Sequence, residues 1–312
     1  MRIAIYGAGG AGGYFGARLA QAGEAVHFIA RGEHLEALRA HGIRVDSILG
    51  DFKVPAVYAT DDPAEVGSVD VVLLGVKAWQ VDQVTEGLRH LVGPETTIIP
   101  IQNGVDAPRI LAAAFGENVV GGLAKIISHR RGPGHIEHVG ADPYMAIGEL
   151  DKSVSRRCEG IRQVFAKAGI TMEVAADIEA ALWQKFLLVV SWGGVGTVAD
   201  APIGIIRSVP ETRRMLERAM GEVMSIARAR QIGVPEDTVA KTLAFLDTLP
   251  EGGTTSLHRD IMAGNPSELD FWCGAVVRLG REVDVATPLN NFIYSSLLPR
   301  ELKARGEVSF AI

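Results

Sequence analysis

Residues 2–23 read RIAIYGAGGAGGYFGARLAQAG, and this stretch determines the fold that the sequence predicts. The apolar run RIAIY predicts a buried strand, and a helical pattern begins near Gly10. Between them Gly7, Gly9 and Gly12 match G-x-G-x-x-G, which is a weak signal in a chain with 36 glycines. Its place between a strand and a helix favours a dinucleotide-binding turn over a tight turn without a ligand.

Each glycine of this turn has a physical role in such a site. Gly7 permits the tight turn, Gly9 lets the backbone approach a pyrophosphate, and Gly12 lets the helix pack closely on the strand. A second strand, AVHFIA (25–30), is followed by Arg31 where NAD-selective sites commonly carry an acid. Because a guanidinium offers a permanent charge and a bidentate fork to a 2′-phosphate, Arg31 indicates that the cofactor is NADP(H).

Two further apolar runs in the first half predict buried parallel strands. They are VDVVLLGVK (69–77) and TTIIPIQNG (96–104), and an amphipathic helix is predicted near 78–91. Lys77 and Asn103 lie at the ends of these strands, and open parallel sheets bind ligands at that edge. We therefore expect Lys77 to contact the nucleotide and Asn103 to face a ligand, although Asn103 could also be a turn former.

The character of the chain changes near Asp177. Before it, strands alternate with helices, and the segments VVGGLAKIIS, HIEHVG and YMAIGEL predict a more irregular or antiparallel extension. After it, long helical patterns predominate: IEAALWQKFLLVV, ETRRMLERAMGEVMSIARARQIG, TVAKTLAFLDTL and ELDFWCGAVVRLGREV. The predicted fold is α/β, with an N-terminal Rossmann-type NADP(H)-binding domain (1–176) followed by an all-helical C-terminal substrate and catalytic domain (177–312).

Composition excludes several classes of protein. With 47% hydrophobic residues, 22% charged residues and a net charge of −6, the 312-residue chain is expected to be globular and not to bind nucleic acid. Its two cysteines, Cys158 and Cys273, are far apart and indicate a reducing compartment. Since neither a membrane span nor a signal-peptide pattern is found, we expect a cytoplasmic protein without a membrane partner. The apolar helices leave a homodimer possible.

Lys185 is the candidate general acid of the second half. It lies in a helical stretch with apolar neighbours at Leu182, Trp183, Phe186 and Leu187. Taken alone, such a lysine most simply extends to solvent. Reduction of a ketone, however, needs a proton donor for the oxygen, and an ammonium group in a cleft with little water meets that need. Glu268, predicted on a later helix, is a candidate acidic partner.

Together these residues resemble the ketopantoate reductase (2-dehydropantoate 2-reductase) family. The resemblance runs through the whole chain in order: GAGGAG (7–12), the Arg31 position, VKAWQ (76–80), QNG (102–104), LWQK ending at Lys185, and TSLHRDIMAGNPSELD (255–270). It implies a Rossmann domain and a helical domain with the active site between them. The implied reaction is the NADPH-dependent reduction of a 2-oxo acid, 2-dehydropantoate to D-pantoate in pantothenate biosynthesis.

The resemblance also implies roles for individual residues. Lys185 is the implied general acid, and Glu268 orients it or contacts the nicotinamide ribose. Asn103 holds substrate or cofactor, and Ser256 donates a hydrogen bond to the substrate carboxylate. Arg31 and Lys77 are expected at the adenosine end of NADPH.

One departure from the family pattern concerns the substrate. Family members that make pantoate typically carry asparagines four and eight residues after the lysine, where this chain has Val189 and Gly193. A site without partners for a substrate hydroxyl loses discrimination for it, so a larger or more apolar 2-oxo acid is an alternative substrate. A β-hydroxyacid dehydrogenase and a non-catalytic NADP(H) sensor are further alternatives. The segment 255–270 disfavours the first. The pairing of Lys185 with Glu268 disfavours the second, whereas the missing asparagines leave it open.

A histidine cluster lies in SHRRGPGHIEHVG (128–140). His129, His135 and His138 have a spacing that matches no standard metal site. We interpret them as exposed histidines on a strand and expect no metal.

Overall fold

The computed structural model describes residues 1–310, which form two compact units. The first unit comprises Met1–Gln102 and Asp106–Ile178, and the second comprises Asn103–Val105 and the chain from Glu179 onward. Each unit has a hydrophobic core of its own.

The first unit alternates strands and helices. In chain order these are β1 (Arg2–Tyr6), α1 (Gly10–Gln21), β2 (Ala25–Ile29), α2 (Gly32–His41), β3 (Ile43–Ser47), β4 (Phe52–Val54), β5 (Tyr58–Thr60), β6 (Val71–Leu74), α3 (Val81–Arg89), β7 (Thr97–Pro100), α4 (Ala107–Phe115), β8 (Gly121–Gly132), β9 (His135–Gly148), α5 (Arg156–Lys167) and β10 (Thr171–Val174). Short 3₁₀ turns occupy Pro63–Glu65, Ala78–Gln80 and Gly116–Asn118.

A parallel sheet organises the first unit. Its strand order is β5-β2-β1-β6-β7, and β1 pairs with β2 and β6 along its length. Alternate residues of β1 enter different cores: Ile3 and Ile5 pack with α1 on one face, and Ala4 and Tyr6 pack with α3 on the other. The sheet is therefore covered by helices on both faces, as a buried parallel sheet requires.

A second, mixed sheet extends this unit. Its order is β10-β9-β3-β4, with β8 pairing antiparallel to β9. The side chain of Ile136 on β9 belongs to the same core as Phe15 of α1 and Ile5 of β1, so α1 is enclosed by residues of both sheets. The long β8–β9 hairpin agrees with the antiparallel extension that the sequence predicts.

All the regular secondary structure in the described part of the second unit is helical. Its elements are α6 (Ile178–Ala199), α7 (Ile203–Ser208), α8 (Pro210–Ala229), α9 (Thr238–Thr248), α10 (Ser256–Met262), a 3₁₀ turn (Leu269–Phe271), α11 (Cys273–Glu282) and α12 (Pro288–Ala304). A Rossmann-type sheet followed by helices confirms the predicted fold class. Over residues 1–310, no helix has the length and apolar character that crossing a membrane demands.

Candidate functional site

The turn between β1 and α1 requires glycine at its first position. Gly7 has φ of +99°, a conformation that side chains disfavour, and its N–H donates to the carbonyl of Ile29 at 3.3 Å. A Cβ atom on Gly7 would lie 2.7 Å from the backbone nitrogen of Val76. Both the backbone conformation and the space therefore exclude other residues at this position.

The other two glycines of the motif differ in their surroundings. A Cβ atom on Gly12 would lie 2.2 Å from the carbonyl oxygen of Gly7, so α1 packs directly on the turn. At Gly9 a Cβ would meet no described atom within 4 Å, so the turn is open on that side. The first N–H groups of a helix have no partners within the helix and carry its positive dipole end. This turn fits a pyrophosphate group.

Arg31 and Lys77 follow the two strands that flank β1. Because β2, β1 and β6 are parallel neighbours, the residues after them lie at one edge of the sheet. Arg31 is exposed and extended, and it precedes the first residue of α2. Burial raises the pKa of Tyr6 at the end of β1, and the positive charge of Arg31 lowers it by a smaller amount. The Arg31 guanidinium is thus close enough to the Tyr6 side chain to affect its pKa.

Lys77 is half-buried at the start of the 3₁₀ turn that precedes α3. Its N–H donates to Gln80 Oε1 at 3.2 Å, and its ammonium nitrogen lies 5.7 Å from the centre of the Trp79 ring. The predicted strand over 69–77 is shorter in the structure and ends at Leu74, because the chain turns at Gly75 to pass the glycine turn. A Cβ atom on Gly75 would lie 3.0 Å from the carbonyl oxygen of Gly7.

Asn103 follows β7 and is half-buried. Residues 103–105 group with the helical unit. Next to Asn103, Gly104 has φ of +107°, and a Cβ atom there would lie 3.3 Å from the carbonyl oxygen of Phe271. The structure thus brings Asn103 beside the 3₁₀ turn that follows Glu268.

Lys185 lies in the first half of α6. The side chain is half-buried, whereas its neighbours Trp183, Phe186 and Leu187 are buried in the core of the helical unit. On the same helix face two turns later, a Cβ atom on Gly193 would lie 2.6 Å from Cζ3 of Trp272 and 3.3 Å from Thr255 Oγ1. The close approach of these side chains to α6 requires the glycine.

Glu268 and Ser256 lie on segments that meet at this point of α6. Ser256 begins α10 directly after Thr255, whose hydroxyl accepts from the N–H of His258 at 3.3 Å. Glu268 is buried, with 6% of its surface exposed, and its carbonyl accepts from the N–H of Trp272 at 3.0 Å. The segments that carry Ser256 and Glu268 therefore meet α6 at Gly193, two turns after Lys185, within the helical unit.

The prediction that Glu268 lies on a helix is wrong. Glu268 precedes the 3₁₀ turn Leu269–Phe271, and Trp272, with φ of −108° and ψ of −94°, interrupts the helical pattern before α11. The pattern of apolar residues in ELDFWCGAVVRLGREV does not reveal this break. Before the 3₁₀ turn, the N–H and the hydroxyl of Ser267 donate to Glu301, a functional candidate that no local pattern connects with Glu268 because it lies 34 positions after Ser267.

The histidine cluster is also placed differently from the prediction. His129 is exposed and bonds to Glu137, and His135 bonds to Asp46, both at 2.8 Å. His138 is not exposed: only 1% of its surface is accessible, because its ring packs against Tyr14 and bonds to the Ser47 hydroxyl. Nowhere in residues 1–310 are three His, Cys, Asp or Glu side chains grouped so that they could hold a metal ion.

Comparison with family models gives matches over most of the chain. The model for ketopantoate reductase PanE/ApbA matches residues 3–152, and the model for the C-terminal part of ketopantoate reductase PanE/ApbA matches residues 177–301.

Individual relatives and solved structures agree with these matches. The uncharacterized oxidoreductase YkpB of Bacillus subtilis is 29% identical over 95% of this chain and 98% of its own length. The 2-dehydropantoate 2-reductase of a Nostoc species is 28% identical over 95% of this chain and 94% of its own length. A crystal structure of 2-dehydropantoate 2-reductase from Geobacter metallireducens has a TM-score of 0.90 and 31% identity, covering 96% of this chain and 99% of that one.

Proposed function

The chain belongs to the ketopantoate reductase family, and from this premise we propose that it reduces a 2-oxo acid to the corresponding 2-hydroxy acid. It is an oxidoreductase, and its cofactor is NADP(H). The relatives from Nostoc and Geobacter are 2-dehydropantoate 2-reductases. We therefore propose 2-dehydropantoate as the first substrate, with D-pantoate for pantothenate biosynthesis as its product. The cytoplasmic location stays a prediction from the sequence.

The observation that carries this proposal is the position of Lys185. Lys185 is half-buried beside buried apolar side chains of α6, and this supports a site in which little water competes for its ammonium group. As the ketone is reduced, its oxygen gains negative charge and needs a proton. The Lys185 ammonium donates that proton, and its charge stabilises the oxygen before the transfer is complete.

The neighbouring polar groups have separate roles in this proposal. Glu268 orients the Lys185 ammonium or accepts a hydrogen bond from the nicotinamide ribose. The Ser256 hydroxyl donates to the substrate carboxylate, and the Asn103 side chain holds substrate or cofactor. These roles are supported by the convergence of their segments on α6 and by the position of residues 103–105.

Residues 1–176 bind the cofactor, and residues 177–312 hold the substrate and the proton donor. Gly7, Gly9 and Gly12 shape the turn that accepts the pyrophosphate, and Arg31 and Lys77 provide positive charge for the phosphates of the adenosine half. NADPH, when bound, supplies the hydride for the ketone carbon.

A specific observation supports a second candidate substrate. Four and eight residues after Lys185 on α6 are the half-buried Val189 and the buried Gly193, and the ring of Trp272 occupies the space where a side chain of residue 193 would lie. Neither residue has a side-chain group that bonds a substrate hydroxyl. A more apolar 2-oxo acid on the same fold is therefore the second proposal.

We test the reaction with an NADPH-oxidation assay over a panel of 2-oxo acids, comparing the natural chain with Lys185→Ala. The variant should lower kcat by about 100-fold to 10,000-fold, the usual range for loss of a general acid. Lys241→Ala removes an exposed lysine of the same unit that pairs with Asp237, and it should leave kcat unchanged. A folded Lys185→Ala variant with full activity contradicts the assignment. If the protein binds NADPH but reduces none of the 2-oxo acids, the result favours the alternative of a non-catalytic NADP(H) sensor.

The two substrate proposals are separated by one pair of compounds. 2-Dehydropantoate and 3,3-dimethyl-2-oxobutanoate differ only in a hydroxyl group, and a site that bonds the hydroxyl rejects the analogue by about 10,000-fold. Such a preference supports 2-dehydropantoate. Equal or greater kcat/KM for 3,3-dimethyl-2-oxobutanoate supports the apolar substrate.

A further inference from the structure

Glu301 is a carboxylate buried near the end of α12, and 1% of its surface is exposed. The N–H of Ser267 donates to both of its oxygens, at 3.1 and 3.0 Å, and the Ser267 hydroxyl donates to Oε2. Arg305, one turn later on the same helix, donates from Nε to Glu301 Oε1 at 2.7 Å. Arg305 Nη2 also donates to the carbonyl of Ser267 at 3.1 Å.

A buried ionised carboxylate is costly unless it is paired and hydrogen-bonded. Here nearly all of the compensation comes from one fully buried residue, Ser267, and from Arg305. The N–H, hydroxyl and carbonyl of Ser267 are all used by this pair of α12 side chains. The network therefore fixes the backbone at Ser267, the residue immediately before Glu268.

The backbone of Glu268 is also held on its other side. The N–H groups of Phe271 and Trp272 both donate to its carbonyl at 3.0 Å, and the N–H of Leu269 donates to the Ser267 hydroxyl at 3.3 Å. The backbone is thus held by hydrogen bonds on both sides of Glu268. These hydrogen bonds fix the direction of the Cα–Cβ bond from which the Glu268 side chain projects. A side chain held in advance loses less entropy when it acts.

We propose that Glu301 and Arg305 are positioning residues for Glu268, acting through Ser267. This inference rests on the proposed function, in which Glu268 orients Lys185 or contacts the cofactor ribose. Glu301 does not itself touch the substrate. Its carboxylate holds the segment 267–272 so that the Glu268 carboxylate lies where the reaction needs it.

A purely structural role for Glu301 would be to anchor α12, and the chain offers a matched control for that role. Glu222 on α8 accepts from the N–H groups of Leu289 and Asn290, at 2.8 and 2.9 Å, at the opposite end of α12. Glu222→Ala therefore removes a carboxylate that also anchors α12 through backbone N–H groups, but at the end of the helix away from Ser267.

The test is a double-mutant cycle on kcat/KM with NADPH and the best 2-oxo acid. Glu301→Ala should lower kcat/KM by about 100-fold, the size of effect expected when a reacting group is misplaced by about 1 Å. In a Glu268→Ala background the same change should alter kcat/KM by less than about twofold, because its effect acts through Glu268. Glu222→Ala should lower the urea midpoint but leave kcat/KM of the folded protein within about twofold.

Two milder variants keep the proposal testable if Glu301→Ala does not fold. Ser267→Ala removes only the hydroxyl and should give a smaller loss of kcat/KM, again absent in the Glu268→Ala background. Glu301→Gln keeps an acceptor for the Ser267 N–H and should restore part of the activity lost in Glu301→Ala. Amide hydrogen exchange of the peptide 264–272 should become faster in Glu301→Ala, and this measurement does not depend on turnover.

The outcomes separate the two proposals. The positioning role is overturned if the loss of kcat/KM in Glu301→Ala is equally large in the Glu268→Ala background. It is also overturned if Glu222→Ala loses as much kcat/KM as Glu301→Ala. Either result shows that Glu301 only stabilises the fold. Unchanged exchange of 264–272 in Glu301→Ala overturns it as well. If the natural chain reduces no 2-oxo acid, the proposed function fails, whatever the exchange data show.

Discussion

Arg31 is the residue on which cofactor choice depends most directly. Its side chain is exposed beside the glycine turn, and no hydrogen bond or ion pair of its guanidinium is found among residues 1–310. Arg31→Ala should weaken NADPH binding by about 10-fold to 100-fold, the worth of a hydrogen bond to a charged group. NADH lacks the 2′-phosphate and should lose almost nothing. Nucleotide fluorescence titrations give both dissociation constants.

Lys53→Ala provides the control for this prediction. It removes an exposed positive charge from β4, in the second sheet of the same unit. Binding of both nucleotides should stay unchanged, since Lys53 is not on the strand edge that carries Arg31. Equal weakening of NADPH and NADH in Arg31→Ala contradicts a role in recognising the 2′-phosphate.

Single residues differ in how far the sequence reveals them. Gly12 was predictable because its constraint comes from an atom close in sequence, the Gly7 carbonyl oxygen. Gly7 was predictable from the positive φ that the turn requires, whereas its close approach to Val76 was not. Glu268 was identified as a residue, but its local structure was not predictable. The backbone just before it, at Ser267, donates hydrogen bonds to Glu301, and no local sequence pattern predicts a partner 34 residues further along the chain.

Helix α5 illustrates how an element is attached to its sheet. Arg157 in its first turn donates from Nε to Glu149 Oε1 at 2.7 Å and from Nη1 to the carbonyl of Glu117 at 2.6 Å. Burial of Glu149 opposes its ionisation, but hydrogen bonds from Arg157 and Ser155 outweigh burial and hold its pKa below the ordinary value. The pair therefore stabilises the fold only while Glu149 is ionised.

Arg157→Met should lower the free energy of unfolding by about 2 kcal/mol at pH 7, because it leaves a buried carboxylate without its charged donor. A lowered pKa in the folded state gives stability that is complete above the unfolded-state value and lost as pH falls through the folded-state value. The difference between the natural chain and Arg157→Met should therefore shrink below the ordinary glutamate pKa of about 4.3. Urea unfolding at several pH values measures it.

Arg162→Met is the matched control on the same helix. Arg162 pairs with Glu159 at the surface, where solvent screens the charges, so Arg162→Met should change the free energy of unfolding little at any pH. A difference for Arg157→Met that stays constant down to pH 3 would rule out the Glu149 pair as its source.

Elements were predictable where their pattern is local and long. The strand β1, the start of α1 and the helices α6, α8 and α9 agree with the patterns that predicted them, although the apolar residues of α6 follow no helical period. The strands β3 and β4 were not predicted, since IRVDS lacks the continuous apolar run of β1 and the three residues FKV are too few to show an alternation. Pairing between β3 and β9, which are far apart in sequence, stabilises β3.

At the scale of the whole molecule, the two compact units are not two consecutive stretches of the chain. Residues 103–105 belong with the helical unit although the chain on either side of them belongs to the first unit. The change of pattern near Asp177 predicts one domain boundary but cannot reveal this segment, because three residues are too few to show a pattern. The assignment of residues 103–105 to the helical unit matters because Asn103 is one of the proposed ligand-binding residues.

The assignment of cofactor binding to residues 1–176 predicts where NADPH protects the chain. At a concentration 100-fold above its dissociation constant, NADPH should stabilise the unit that binds it by about 2.7 kcal/mol. Amide hydrogen exchange should therefore slow most in peptides covering 1–30, which contain the glycine turn and β2, and least in peptides covering 210–248 of α8 and α9. NADH at the same concentration should protect 1–30 less, because Arg31 has no 2′-phosphate to bind. Stronger protection of 210–248 than of 1–30 would place the nucleotide on the helical unit and contradict the assignment.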